Sequence, residues 1–153
     1  MWVNVVYCGE DELKEAKQFP ATIAEEKTNP RKPRVLIIED EFLVAWELES
    51  ILQDLNLEVC GIASDAETGV DYAVNLDAEL LVVDVNLGDG PDGIEAVRRI
   101  QNHRQVAVIF ITAYTDQFNL SRIQAVAPHA LVLSKPVSRT LLPSTIKKLL
   151  RHI

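Results

Sequence analysis

The sequence predicts an α/β domain of the (βα)5 type, with a doubly wound, five-stranded parallel sheet covered by helices on both faces. Two observations predict this fold. Five short runs rich in Val, Ile and Leu lack the polar alternation of a half-exposed strand, and segments with helical spacing separate them. The length of 153 residues and the hydrophobic content of 48% also suit one domain with an ordinary core.

The predicted elements alternate regularly from residue 35 onwards. The strands are expected at five apolar runs, residues 35–39, 58–63, 80–84, 106–112 and 130–134. The helices follow them in turn, with helical spacing from Leu48, over about 65–76, over about 92–102, over about 115–127, and from Leu141 to Leu150. Pro143 falls in the last pattern, so we expect that helix to begin as late as Thr140, with the proline in its donor-free first turn.

A linker precedes this regular part of the chain. Residues 28–34, "TNPRKPR", contain two prolines and three basic residues between two structured-looking regions. We therefore predict an N-terminal extension and linker over residues 1–33 and one folded domain over residues 34–153. The extension is too short for a core of its own. A homodimer formed through this extension, with Trp2 at the contact, is an open expectation.

Composition excludes several classes of function. A net charge of -8 without a basic stripe argues against a nucleic-acid partner. Cys8 and Cys60 lie far apart and outside any CxxC pair, so a disulfide framework is not expected. No apolar run reaches the ~18 residues of a membrane span, and the first residues lack the pattern of a signal peptide. We expect a cytoplasmic protein without membrane contact.

Polar side chains stand where the predicted strands end. Glu39 and Asp40 close the first strand, Asp84 the third and Thr112 the fourth, and Lys135 follows the fifth. Ligands of open parallel α/β sheets bind at the carboxyl ends of the strands, so these groups should converge on one crevice. Clustered carboxylates need a cation, and oxygen ligands suit Mg²⁺. Together with a lysine and a hydroxyl, they could transfer a phosphoryl group onto a carboxylate.

Four motifs carry a resemblance to a known family. "VLIIEDE", "LLVVDVNL…DGIEA", "IFITA" and "SKP", in this order and spacing, resemble the receiver domain of bacterial two-component response regulators, over about residues 34–153. The variant "LGDGPDGIEA" resembles a subclass common beside sensor-kinase and PAS modules. The resemblance implies the flavodoxin-like receiver fold, and the absence of an output motif after the last helix predicts a stand-alone receiver.

The resemblance also implies the acidic part of a site. Asp84 would be the phosphoacceptor and a ligand of Mg²⁺, and Asp40 would be a direct ligand of the metal. Glu39 would contribute through water, and the main-chain carbonyl of Asn86 would be a further ligand.

The remaining implied roles concern the phosphoryl group itself. Thr112 would bind it once it is attached, and Lys135 would pair with it. Pro136 would form a cis peptide bond that shapes the loop of the lysine.

The sequence departs from the family pattern in two places. Position 88 is glycine where many receivers have proline, and Asp92 comes one residue later than usual. Val132 stands where the family usually has a tyrosine or phenylalanine that reports phosphorylation. We therefore expect the signal to travel through the Thr112 loop and the 115–127 helix instead. The resemblance implies that Tyr114 lies at a position that, in this family, tends to affect the access of water to the phosphoryl group.

Other residues have structural interpretations. Asp92 is predicted to be an N-cap, with Glu95 at the position that reciprocates in a capping box, and Asp65 with Thr68 is a second helix start. Trp46, on the first predicted helix, is expected to pack into the core or along the helix face, with a contact to a partner as the alternative.

The leading interpretation is a phosphorylation-switched signalling receiver. It would accept a phosphoryl group from a sensor histidine kinase or a phosphotransfer protein and act on a downstream protein that the sequence does not identify. It would catalyse only its own phosphorylation and dephosphorylation, so we do not expect an enzyme with a free substrate. Two alternatives stay open: a phosphorylation-independent interaction scaffold, and a Mg²⁺-dependent aspartyl phosphohydrolase. The second usually has an acid where this chain has Asn86.

Overall fold

Five parallel strands alternate with five helices along residues 31–150, the part of the chain that this computed structural model describes. The strands are β1 (Arg34–Ile38), β2 (Glu58–Ala63), β3 (Leu80–Val83), β4 (Ala107–Thr112) and β5 (Leu131–Ser134). The helices are α1 (Phe42–Asp54), α2 (Ala66–Asn75), α3 (Gly93–His103), α4 (Gln117–Val126) and α5 (Leu141–Leu150). The predicted fold class is confirmed.

The strand order of the sheet is β2-β1-β3-β4-β5. The chain moves outwards from β1 to β2 and then crosses back over β1 to place β3 on its other side. The winding direction therefore reverses between β1 and β3, which is the point where open parallel sheets form their ligand crevice.

Strand β1 is buried on both faces. In β1, Leu36 and Ile38 pack into the core beneath α2, α3 and α4, whereas Val35 and Ile37 pack into the core beneath α1 and α5. All four side chains are fully buried. Successive side chains of a strand point to opposite faces, so one apolar run contributes to both cores. This explains why β1 shows no polar alternation.

Aspartates begin three of the helices. Asp65, Asp92 and Asp116 each accept a hydrogen bond from the backbone amide three residues on, at 2.8, 2.9 and 3.0 Å respectively. This confirms the predicted caps at Asp65 and Asp92. The expected capping box is incomplete, however, because the carboxylate of Glu95 binds Arg98 and Arg99 instead.

Helix α5 tolerates a proline in its first turn. The helix begins at Leu141, one residue after the expected Thr140, and Pro143 is its third residue. The amide of Leu141 is satisfied by the side-chain oxygen of Ser138 at 3.0 Å. A proline in this turn removes a donor that the helix does not use.

The expected packing of one side chain is wrong. Trp46 does not pack into the core, because 63% of its surface is exposed on α1. Apart from the last residues of the linker, the predicted extension with Trp2 lies outside the described residues, as do the final three residues of the chain. No helix within residues 31–150 is long and apolar enough to cross a membrane.

Candidate functional site

Backbone hydrogen bonds place two acids at the carboxyl edge of the sheet. The amide of Asp84 donates to the carbonyl of Ile38 at 2.9 Å, and the amide of Glu39 donates to the carbonyl of Ala63 at 2.9 Å. The parallel ladder thus continues one residue beyond β1 and β3, and it fixes both acids by their main chain. Both are buried, with exposures of 2% for Glu39 and 5% for Asp84.

A third acid completes a carboxylate cluster. Glu39, Asp40 and Asp84 each offer an oxygen atom, and these atoms lie within 4.8 Å of one another. Asp40 is exposed at the mouth of the crevice, whereas the other two form its floor. Three like charges at this separation repel, so the arrangement calls for a cation.

Lys135 supplies one positive charge to this cluster. Its Nζ lies 2.8 Å from Asp84 Oδ2, 3.0 Å from Glu39 Oε2 and 3.5 Å from Glu41 Oε1. The hydrogen bond to Glu39 is better aligned on Oε1, at 3.2 Å. Within residues 31–150, Glu39 Oε2 is one of the few buried side-chain oxygens without a well-aligned donor. Its lone pairs, beside two further carboxylates, suit a hard cation such as Mg²⁺.

The protonation states follow from burial and from these contacts. Burial raises the pKa of Glu39 above its usual value, although the hydrogen bond from Lys135 opposes the increase. Burial lowers the pKa of Lys135, but the hydrogen bonds to Asp84 and Glu39 outweigh it, so that the net shift is upwards. The lysine is therefore a permanent cation at neutral pH.

The end of β4 brings a hydroxyl group to the same edge of the sheet. Thr112 is fully buried, and its carbonyl accepts a hydrogen bond from the amide of Lys135 at 3.0 Å. The Oγ1 atom of Thr112 accepts a hydrogen bond from the amide of Tyr114 at 3.0 Å. This contact uses the hydroxyl as an acceptor, so its hydrogen remains available for donation. The peptide bond between Lys135 and Pro136 is cis, as expected.

The loop after β3 keeps Asp84 and the start of α3 in direct contact. Gly88 and Gly90 have φ angles of 70° and 113°, which disfavour residues with a side chain. Gly93 donates its amide hydrogen to the carbonyl of Val85 at 2.8 Å. A Cβ atom on Gly93 would collide with the carbonyl oxygen of Asp84. Glycine is required here because α3 begins against the backbone of the acid.

Asn86 lies beside Asp84 but contributes through its main chain. Its amide donates to Asp84 Oδ1 at 3.3 Å, while its side chain is exposed. Of the predicted site residues, the structure thus brings four side chains into contact distance of one another, those of Glu39, Asp40, Asp84 and Lys135.

The sequence analysis missed two features of this region. Glu41 approaches Lys135, which its position beside Glu39 and Asp40 could have indicated. Asp92 pairs with Arg122 on α4 at 2.6 Å, and no local pattern signals a contact across 30 residues.

Comparisons with known proteins agree with this geometry. The model of the response regulator receiver domain family matches residues 35–147. The phyllosphere-induced regulator PhyR of Methylorubrum extorquens is 39% identical over 85 residues, which are 55% of this chain and 32% of that protein. A protein-glutamate methylesterase/protein-glutamine glutaminase of Carboxydothermus hydrogenoformans is 33% identical over 95 residues, which are 61% of this chain and 27% of that protein.

A solved structure shows the same fold. The receiver domain of PhyR from Erythrobacter litoralis superimposes with a TM-score of 0.70 at 30% identity, covering 78% of this chain and 90% of that one. This chain spans only about a third of the length of the two curated relatives, 32% and 27%. The likeness therefore concerns one domain of those larger proteins.

Proposed function

The chain belongs to the response regulator receiver family, a family of phosphorylation-switched signalling domains, and we propose that Asp84 is the residue that accepts the phosphoryl group. The observation that carries this proposal is the buried pairing of Asp84 with Lys135 at 2.8 Å, beside a second buried acid. A carboxylate held this rigidly at a strand end, next to a fixed cation, has the geometry of a positioned nucleophile.

The transfer requires one bond to form and one to break. An Asp84 oxygen attacks the phosphorus atom of a phosphohistidine, the new O–P bond forms, and the N–P bond breaks with its electron pair returning to the imidazole. Lys135 lies where it can neutralise charge on the phosphoryl oxygens, and the free hydroxyl hydrogen of Thr112 can bind one of them. The protein contributes mostly position and charge to such a reaction.

The carboxylate cluster fits a divalent metal. Asp40 and Asp84 would be direct ligands, Glu39 would act through water, and the carbonyl of Asn86 would be a further ligand. Mg²⁺ bound there would supply positive charge to the phosphoryl oxygens. The metal ion would also neutralise part of the negative charge that Lys135 now neutralises. Lys135 could then turn towards the incoming phosphoryl group.

An exposed apolar face of α1 supports a protein as the phosphodonor. Phe42, Leu43 and Trp46 are 78%, 73% and 63% exposed, and the helix begins directly after Asp40 and Glu41. The three side chains lie three and four residues apart on the helix and so form one apolar patch, and such patches often mark a contact with another protein. We propose that a sensor histidine kinase or phosphotransfer protein docks on this face in the cytoplasm, and that the chain catalyses only its own phosphorylation and dephosphorylation.

The test is incubation with Mg²⁺ and acetyl phosphate, followed by measurement of the intact mass. We expect the protein to gain one phosphoryl group, Asp84→Asn to gain none, and EDTA to prevent the gain. Asp89→Asn is the matched control, because Asp89 is an exposed acid of the same loop. A phosphoryl group on Asp84→Asn, or none on the parent protein, would contradict the proposal.

A further inference from the structure

An ion pair joins the two helices that follow the site. Arg122 on α4 contacts Asp92, the N-cap of α3, with 2.6 Å between Nη1 and Oδ2. We propose that this pair is a clamp that holds α4 in the position of the unphosphorylated protein and opens when Thr112 turns towards a phosphoryl group on Asp84. The inference rests on the proposed function and names the element through which the phosphorylated site acts.

The Asp92 end of the clamp is fixed to the acceptor. Asp92 uses Oδ1 to cap α3 and Oδ2 to bind Arg122, so one carboxylate serves both helices. The next residue, Gly93, donates its amide hydrogen to the carbonyl of Val85 and lies against the carbonyl of Asp84. The position of Asp92 is therefore set by the backbone around the phosphoacceptor.

The Arg122 end is fixed to the first turns of α4. Its Nη1 also donates to the side-chain oxygen of Asn119 at 3.3 Å, and its guanidinium lies 5.7 Å from the centre of the Phe118 ring. Asn119 in turn donates its amide hydrogen to Asp116, the N-cap of α4. The arginine and the start of the helix therefore move together.

The start of α4 leads back to Thr112. The hydrogen bond from the amide of Tyr114 to Thr112 Oγ1 connects the hydroxyl to the loop that precedes Asp116. A rotation of the hydroxyl towards Asp84 breaks this bond or moves the loop with it. Helix shifts in switching proteins are typically about 1–2 Å, which is enough to lengthen a 2.6 Å contact beyond hydrogen-bonding range.

The core offers little resistance to such a movement. Ile123 is the one buried side chain of α4 within its described span. Val132, at the position usually occupied by the family's reporting aromatic, is small and packs partly into the core beneath this helix. The polar contact with Asp92 is thus a main restraint on α4, and its loss favours the shifted position.

Two substitutions test the clamp without removing the cap or the helix. Arg122→Gln keeps a good helix former, and Asp92→Asn keeps a good N-cap while removing the charge. Arg98→Gln is the matched control, because Arg98 pairs with Glu95 within α3 and makes no described hydrogen bond or ion pair to α4. Each protein is titrated with beryllofluoride, a phosphoryl mimic, in the presence of Mg²⁺, while amide resonances of residues 116–127 are followed by NMR.

We expect both clamp variants to bind beryllofluoride about two- to fivefold more tightly. This change corresponds to the free energy that a partly exposed ion pair contributes. Their α4 resonances without the mimic should already be displaced towards the bound positions. The double variant should show no further gain, since both substitutions remove one interaction. Arg98→Gln should behave as the parent protein.

Unchanged affinity and unchanged α4 resonances in both clamp variants would overturn the clamp, provided that the parent protein responds to beryllofluoride. A parent protein whose Asp84 amide does not respond at all would instead overturn the proposed function. Equal thermal unfolding temperatures of the variants and the control would show that any change in affinity does not arise from partial unfolding.

Discussion

Helices α3 and α4 both follow a strand that ends at the site, and both cover the same face of the sheet, yet they are held very differently. Five residues of α3 are buried, Gly93, Ile94, Ala96, Val97 and Ile100. Helix α4 buries Ile123 alone among its described residues. Helix α3, beside Asp84, is therefore part of the core, while α4, beside Thr112, has one buried side chain and packs Val126 only partly against the core.

The strands show the same contrast. The residues of β3 are at most 1% exposed, whereas every residue of β5 is at least partly exposed. We call β1, β3 and α3 the fixed region, and α4 with β5 the loose region. The carboxylates thus lie in the part of the structure that is most deeply buried. Helix α4 and β5 can move with little loss of buried surface, so a conformational change is easier there.

Matched leucine substitutions in two strands give the largest expected effect. Leu81→Ala in β3 should lower the free energy of unfolding by about 4 kcal/mol, because a fully buried side chain leaves a cavity. Leu133→Ala in β5 should lower it by about 1–2 kcal/mol, since that side chain is only partly buried. Urea unfolding measures both. Equal losses would show that β5 is as well packed as β3.

Matched isoleucine substitutions in the helices sharpen the comparison. Ile100→Ala in α3 and Ile123→Ala in α4 remove the same atoms from the same core. We expect a loss of about 4 kcal/mol for Ile100 and about 2 kcal/mol for Ile123, because the surroundings of a loosely held helix can close over the cavity. The same urea experiment applies, and hydrogen exchange should show faster opening of α4 than of α3. A larger loss at Ile123 would reverse the assignment of the two regions.

The smallest expected effect concerns charge on the fixed region. Hydrogen bonds from Arg98 and Arg99 lower the pKa of Glu95 to about 2. A lowered pKa in the folded state means that the stabilisation is complete above the ordinary value near 4.5 and is lost as the pH falls towards 2. Glu95→Gln should therefore reduce stability at neutral pH, by no more than about 1 kcal/mol for a partly exposed ion pair.

The difference between Glu95→Gln and the parent protein should shrink as the pH is lowered through this interval. Urea unfolding at several pH values measures it, and an NMR titration of the Glu95 carboxyl measures the pKa directly. A difference that stays constant from neutral pH to pH 3 would contradict the assignment to charge.

Much of the fold was predictable because it depends on local pattern. Uninterrupted apolar runs located the strands, and acidic caps such as Asp65 marked helix starts. The elements differ from expectation mainly at their ends, where Glu39 and Asp84 lie just beyond the strands instead of within them. A residue can continue the backbone ladder without being assigned to a strand, and sequence patterns do not distinguish these cases.

The site was predictable as a set of residue types at strand ends, but not as a set of contacts. Glu95 was expected to complete a capping box, but two arginines on the next turn compete for its carboxylate. Likewise, Asp92 was expected to act as a cap only, whereas its second oxygen binds Arg122. The contact between Asp92 and Arg122 depends on the distance between α3 and α4, which periodicity does not encode.

The order of the strands along the chain also sets the order in which the parts of the site can come together during synthesis. A nascent chain presents Glu39 first and Asp84 next, and these acids become neighbours as soon as β3 pairs with β1. Lys135 follows Asp84 by 51 residues. Until β5 emerges, the half-built edge holds two carboxylates that burial would force together without their lysine. Until the last strand joins the sheet, the crevice must therefore stay hydrated, hold a metal ion or carry a proton on one of the two acids.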